Sequence, residues 1–352
     1  MNTPAYRAAV IGVGKAGQAT PEKGGGHQIA YVHSRQWKEN PRTALVAGAD
    51  INAENLAAWR EVFQVPAGYA DHREMLAREK PDIVSLCTYV GLHRAMIEDC
   101  ARAGVKGIFC EKPFLASPAD IAAVRRVADE TGVKIVVAHI RRHQPVFLRI
   151  RELIRGGAIG RPLLFSAGIP GWDLSEWGSH WIDIFRFFND DNPVRWVMGQ
   201  ARVRGARGYG HALEEHAVAY WGFENGCKAL LDGGESVTQP FSMILTGSEG
   251  EIRQIGGKSL VLTNASGRTE ETPPTEDDAW GALWRGTTAS LLDWLDGGPE
   301  PDLGLRNVMP TCEVNLAAYL SALQGDRIDL PLSDFSLAEW PLEPLARRAT
   351  SR

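Results

Sequence analysis

Tyr6-Arg7-Ala8-Ala9-Val10-Ile11-Gly12-Val13-Gly14-Lys15-Ala16-Gly17 opens the chain with a short apolar run that breaks into a glycine-spaced turn. A strand followed by G-x-G-x-x-G is the dinucleotide fingerprint, because the glycines permit a tight turn and let backbone N–H groups approach a pyrophosphate. Gly12, Gly14 and Gly17 are therefore candidate cofactor residues. The helix that should follow is delayed by Gln18 to Lys23 and by a second run, Gly24-Gly25-Gly26, so the pattern predicts a helix from near His27 through Ile29, Val32 and Trp37. Helix N-termini hold phosphate through unpaired N–H groups and the dipole. Either glycine run can be the one that does so.

Outward from this turn, apolar runs alternate with helical patterns. Thr43 to Ala49 reads as a strand that ends at Asp50. An acid at that edge accepts hydrogen bonds from an adenosine ribose and favours NAD over NADP, and Ile51-Asn52 offers no arginine to a 2′-phosphate. Asp50 lies beyond the usual spacing of about 20 residues, an excess that the inserted loop explains. The alternative is that Asp50 caps a helix over Ala53 to Phe63. Asp71 to Arg78 is helical, Asp82 to Thr88 a strand, and His93 to Ala103 a helix. Val105-Lys106-Gly107-Ile108-Phe109-Cys110-Glu111-Lys112-Pro113 is then a buried strand ending on a charged pair and a proline. At the carboxyl edge of an open α/β sheet, Lys112 points into the crevice where such sheets bind ligands. Pro113 restricts the backbone of Lys112 to extended conformations. A surface ion pair beside a turn is the plainer reading of Glu111-Lys112. Ser117-Pro118-Ala119-Asp120 starts a helix that Gly132 stops, and Lys134 to Ala138 is a last strand. The sum is a doubly wound parallel sheet of the Rossmann type over residues 1–139.

From residue 140 the pattern changes. Pro145 to Arg155 is helical, and Pro162 to Gly168, Trp196 to Arg204, Ala217 to Phe223 and Cys227 to Leu231 are β segments. Glu224-Asn225-Gly226 supplies a hairpin turn. Ser242 to Thr246, Glu251 to Ile255 and Ser259 to Thr263 continue the run, and Ala279 to Asp296 and Asn307 to Gln324 are helices. Residues 140–352 thus form an α+β domain around an open, mostly antiparallel sheet.

A chain of 352 residues is long enough for two cores, and 44% hydrophobic with 23% charged residues is ordinary globular composition. A net charge of -5 without a basic run argues against nucleic acid as a partner. The five cysteines have no CxxC spacing and read as reduced structural thiols. No apolar stretch is long enough to cross a bilayer, so the expectation is a cytoplasmic protein.

The second chemical cluster is Gly171-Trp172-Asp173-Leu174-Ser175-Glu176-Trp177-Gly178-Ser179-His180-Trp181-Ile182-Asp183. In a helix Glu176 and His180 sit at i and i+4 and share a face. A carboxylate beside an imidazole raises its basicity and orients it, as a general base acting on a hydroxyl requires. Trp172, Trp177 and Trp181 can supply apolar faces for a sugar ring, or can simply be core. Arg141 and Arg142 can meet an anionic substituent or be solvated. His211 to His216 matches neither HExxH nor HxxEH, and no metal is expected.

Together these residues resemble the Gfo/Idh/MocA oxidoreductase family over nearly the whole chain. The likeness rests on Glu111-Lys112-Pro113 after a Rossmann strand and on the acid-x-x-x-His of Glu176 and His180. Gly156 to Pro162 and Arg306 to Pro331 match further family segments. The resemblance implies an NAD(P)-binding domain and an open-sheet domain through which a homo-oligomer, dimer or tetramer, forms. It implies Lys112 and His180 as catalytic, with Glu176 where the family usually has Asp. Thr88, His93, Glu111 and Lys112 join the cofactor set, and Lys112, Arg142, Trp172, Trp177 and His180 the substrate set. The implied reaction is hydride transfer to NAD from a secondary hydroxyl of a sugar or cyclitol. The alternative is an NAD-dependent glycoside hydrolase that works by transient oxidation, elimination and re-reduction.

Overall fold

The computed structural model describes residues 5–14, 29–208, 210–237, 242–275 and 278–350. Two compact units are present. The first comprises Met1–Ala138, Gly208–His211 and Trp284–Leu305; the second comprises His139–Arg207, Ala212–Leu283 and Arg306–Arg352.

In the first unit the strands are β1 (Tyr6–Ile11), β2 (Thr43–Ala49), β3 (Ala67–Tyr69), β4 (Ile83–Leu86), β5 (Gly107–Cys110) and β6 (Lys134–Val137). They form one sheet in the order β3-β2-β1-β4-β5-β6, parallel throughout. Every residue of β4 and β5 is buried, as a parallel sheet covered on both faces requires. The helices are α1 (Ala30–Glu39), α2 (Ala53–Phe63), α3 (His72–Glu79), α4 (Val90–Arg102) and α5 (Pro118–Thr131). Local chemistry ends them. Asn52, Asp71 and Ser117 accept hydrogen bonds from first-turn N–H groups of α2, α3 and α5, and Gly132 closes α5 in the left-handed conformation. Asn52 rather than Asp50 is thus the cap of α2. The three-residue β3 and the early start of α4 at Val90 carry no periodic signal in the sequence.

The first unit also takes a segment from late in the chain. Trp284, in α8 (Ala279–Leu295), packs its ring 4.9 Å from His33 and 5.8 Å from Phe109.

The second unit begins with α6 (Pro145–Arg155), β7 (Pro162–Pro170), α7 (Gly178–Phe188) and β8 (Val194–Arg202). Its nine-stranded sheet runs Gly267–Glu271, Ser259–Asn264, Gly250–Ile255, Ser242–Gly247, β7, Lys228–Gly234, His216–Phe223, β8, Ile328–Asp329. The pairing is antiparallel except where β7 meets Lys228–Gly234. All residues of α7 are buried, as are most of those from Val308 to Ser321 in α9 (Leu305–Gln324). At Gly199 of β8 the approach of α9 is so close that a Cβ would lie 2.0 Å from the Ala318 carbonyl oxygen.

Candidate active site

Parallel strands deliver the residue after each strand to one edge of the sheet. Gly12 follows β1, Asp50 follows β2, Thr88 lies two residues past β4, and Glu111-Lys112 follow β5. The order reverses at β1, between β2 and β4, which is where open α/β sheets form their ligand crevice. Gly12 has φ +82°, and a Cβ there would lie 2.6 Å from Thr88 Cγ2 and 2.9 Å from the Cys87 carbonyl oxygen, so only glycine fits. A small cleft of about 60 Å³ opens here, lined by Gly12, Asp50, Ile51, His72, Thr88 and Met96 among others. Asp50 is buried and its Oδ1 accepts the Asn52 N–H at 2.8 Å. Burial raises its pKa, and the N–H groups of Asn52, Gly14 and Val13 act in the opposite sense. Gly17, the Gly24–Gly26 run and the expected helix start near His27 lie outside the described residues.

The Glu111 carboxylate is buried, not part of a surface pair. Its Oε1 lies 3.0 Å from His33 Nε2, and its Oε2 accepts the Lys112 N–H at 3.2 Å. His33 Nδ1 is 2.9 Å from Ser85 Oγ, which accepts the Trp37 indole N–H at 2.7 Å. An indole nitrogen only donates, so the Ser85 hydroxyl proton can serve His33 Nδ1, leaving the Nε2–H to Glu111. This chain through the core fixes the backbone at Lys112. The lysine itself is half-buried, and its peptide bond to Pro113 is cis. Glu111 therefore holds Lys112 in place. His93 is fully buried, lies 2.9 Å from the carbonyl oxygens of both Phe114 and Thr88, and ties the turn after β4 to the segment after β5. Burial pushes its pKa down despite those carbonyls.

In the second unit His180 sits in the first turn of α7, buried, with its ring 5.6 Å from His139 and 6.3 Å from Trp177. The helix begins at Gly178 and does not extend back to Glu176, so the two residues do not lie on one continuous helix as their spacing predicts. Asp173 is the cause. Its Oδ1 accepts the Ser175 hydroxyl and the Glu176 N–H at 2.6 Å each, and its carbonyl accepts the Gly178 N–H, which closes a separate turn before α7 begins. Trp172 is half-exposed and lies 4.5 Å from Trp177, whereas Trp181 is core.

Arg142 is buried in an ion-pair cluster. Its side chain is 0% exposed, its guanidinium donates to both Asp183 oxygens at 2.8 and 2.6 Å, and it also pairs with Asp191. Burial raises the Asp183 pKa, but Arg142, His139 and Arg186 more than reverse that and hold it below the usual carboxylate range. The pair braces α7 from within.

Two profiles of one family match the chain: its oxidoreductase domain with the NAD-binding Rossmann fold over residues 6–139, and its C-terminal domain over residues 147–253. The chain belongs to the Gfo/Idh/MocA oxidoreductase family. D-apiose dehydrogenase of Paraburkholderia graminis is 28% identical over 328 residues, 85% of this chain and 86% of that protein. Inositol 2-dehydrogenase of Rhizobium meliloti is 26% identical over 269 residues, 72% and 80% of the two chains. The fold also matches levoglucosan dehydrogenase, solved with NADH and levoglucosan, at TM-score 0.77 and 17% identity over 93% of this chain and 100% of that one.

The first unit of this oxidoreductase fits the family's NAD cofactor. Gly12 occupies a position that any side chain would block, and Asp50 Oδ2 is buried with no hydrogen-bond donor among the described residues. The first suits a pyrophosphate close to the backbone; the second suits ribose hydroxyls. Among the described residues no helix is long and apolar enough to cross a membrane.

Sequence reasoning missed His33, Glu214 and the setting of Arg141. Glu214 Oε1 accepts the Leu174 N–H and the Tyr319 hydroxyl at 2.8 Å each, bracing the turn that leads to His180. No local signal marks it, since Tyr319 is 105 residues away.

Proposed function

We propose that this chain is an NAD-dependent dehydrogenase that removes hydride from a secondary hydroxyl of a sugar or cyclitol. The observation that carries the proposal is Lys112, held half-buried at the same sheet edge as Gly12 and Asp50 by the Glu111–His33 chain. The related apiose and inositol dehydrogenases support the substrate class. When bound, NAD supplies the hydride acceptor. Lys112 Nζ places a positive charge on the oxygen as the carbonyl develops, and a ring nitrogen of His180 takes the hydroxyl proton. Trp172 and Trp177 pack on the apolar face of the sugar ring. The second-unit sheet forms a dimer or tetramer, supported by the exposed Met198 and Ile255 on its strands.

The test is NADH absorbance over a panel of sugars and cyclitols with wild type, Lys112→Met and His180→Ala. Each variant should keep the circular dichroism spectrum and most of the NAD affinity while losing at least about 100-fold in turnover, the scale for a positioned acid–base or charge-stabilising group. Near-normal turnover in Lys112→Met would return that lysine to a surface role. Cleavage of a glycoside without net NADH would move the reading to transient oxidation and re-reduction.

A further inference from the structure

Arg141 is a cation set between two indole rings with no carboxylate partner among the described residues. Its guanidinium carbon lies 5.1 Å from the centre of the Trp177 ring and 5.5 Å from that of Trp280. Its Nε is buried with no acceptor among the described residues. The pKa of Arg141 is pushed down by burial, with no carboxylate among the described residues acting in the opposite sense. The contrast with Arg142, one residue on and doubly ion-paired, is sharp. Arginine side chains are rarely taken out of water unless paired, because the lost hydration must be replaced. Indole faces answer part of the charge but accept none of the in-plane N–H donors. What remains is a planar fork of donors matched to two oxygens of one oxyanion.

Its place gives the fork a use. Trp177 stacks on Arg141, touches Trp172 and approaches His180, so one ring joins the cation to the aromatic wall assigned above to the sugar. We propose that Arg141 binds an oxyanion carried by the substrate, a carboxylate, sulfonate or phosphate, so that the substrate class is an acidic sugar. This rests on the dehydrogenase reading only for the location of the sugar; the anion site can be tested by binding alone.

Isothermal titration of the NAD-loaded protein with D-glucuronate, sulfoquinovose and glucose phosphate, against D-glucose, tests it and separates the three oxyanions. At least one acidic probe should bind about 10-fold or more tighter than D-glucose, the scale of a charge-assisted pair. That preference should fall to below about threefold in Arg141→Met and survive in part in Arg141→Lys, which keeps the charge but not the fork. Glucose binding as tightly as all three acids overturns the proposal, as does a preference that persists in Arg141→Met, or no binding by any acidic probe. NADH formation from neutral sugars with no acid preference would sink the anion site and leave the dehydrogenase standing. Arg141-dependent acid binding with no NADH from any sugar would do the reverse.

Discussion

Replacing Glu214 with glutamine is expected to remove a pH-dependent weakness from the second unit. The carboxyl is buried, Oε1 is engaged by Leu174 and Tyr319, and Oε2 is sealed off with no donor among the described residues. Burial first, and then the charge of Asp173, raise its pKa from 4.5 to about 8. The folded protein therefore keeps this proton over a range in which the unfolded chain has released it. Between those two values unfolding releases a proton, so stability falls as pH rises, by about 1.4 kcal/mol per pH unit. Below the lower value both states are protonated and nothing is lost; above the upper value the loss levels off. Integrated from about pH 5 to about pH 8, Glu214 costs about 3 to 4 kcal/mol. Glutamine cannot ionise and keeps an oxygen for Leu174 and Tyr319. Guanidinium denaturation of wild type and Glu214→Gln across this range, read on the transition of the second unit, gives the difference directly, because other titrating groups cancel. The variant should gain about 3 to 4 kcal/mol on the wild type over the interval. A difference that stays flat to within about 1 kcal/mol would refute the reasoning and mean that Glu214 is ionised in the folded protein.

Two further outcomes follow from the first unit. NAD should bind at least about 10-fold tighter than NADP, because Asp50 repels a 2′-phosphate, and Asp50→Ala should narrow the gap; equal affinities for the wild type in a fluorescence titration would contradict this. His33→Phe leaves the buried Glu111 carboxylate without its imidazole partner and should cost about 3 kcal/mol in denaturation together with part of the turnover, whereas a loss under about 1 kcal/mol would show that Glu111 does not depend on His33.

The parallel sheet was legible because its evidence is local. A buried parallel strand is a continuous apolar run, as in Ile83–Leu86 and Gly107–Cys110, and the helices are bounded by caps that act within a few residues, Asn52, Asp71, Ser117 and Gly132. Once those strands are parallel, Gly12, Asp50 and Lys112 must emerge on one edge, so half of the site follows from chain order alone. The partners of these residues do not. His33 reaches Glu111 across 78 residues, Arg142 reaches Asp183 across 41, and Trp284 returns to the first unit from late in the chain. Pairings at such distances leave no periodicity to read. Glu176 and His180 have helical spacing, yet the Asp173 carboxylate competes locally for the Glu176 N–H, and the helix starts two residues after Glu176. Residue spacing therefore determined the strands, the glycine turn and the lysine at the sheet edge. Only tertiary packing decided which buried charges are spent on each other, as Arg142 and Asp183 are, and which, like Arg141, keep donors for a ligand.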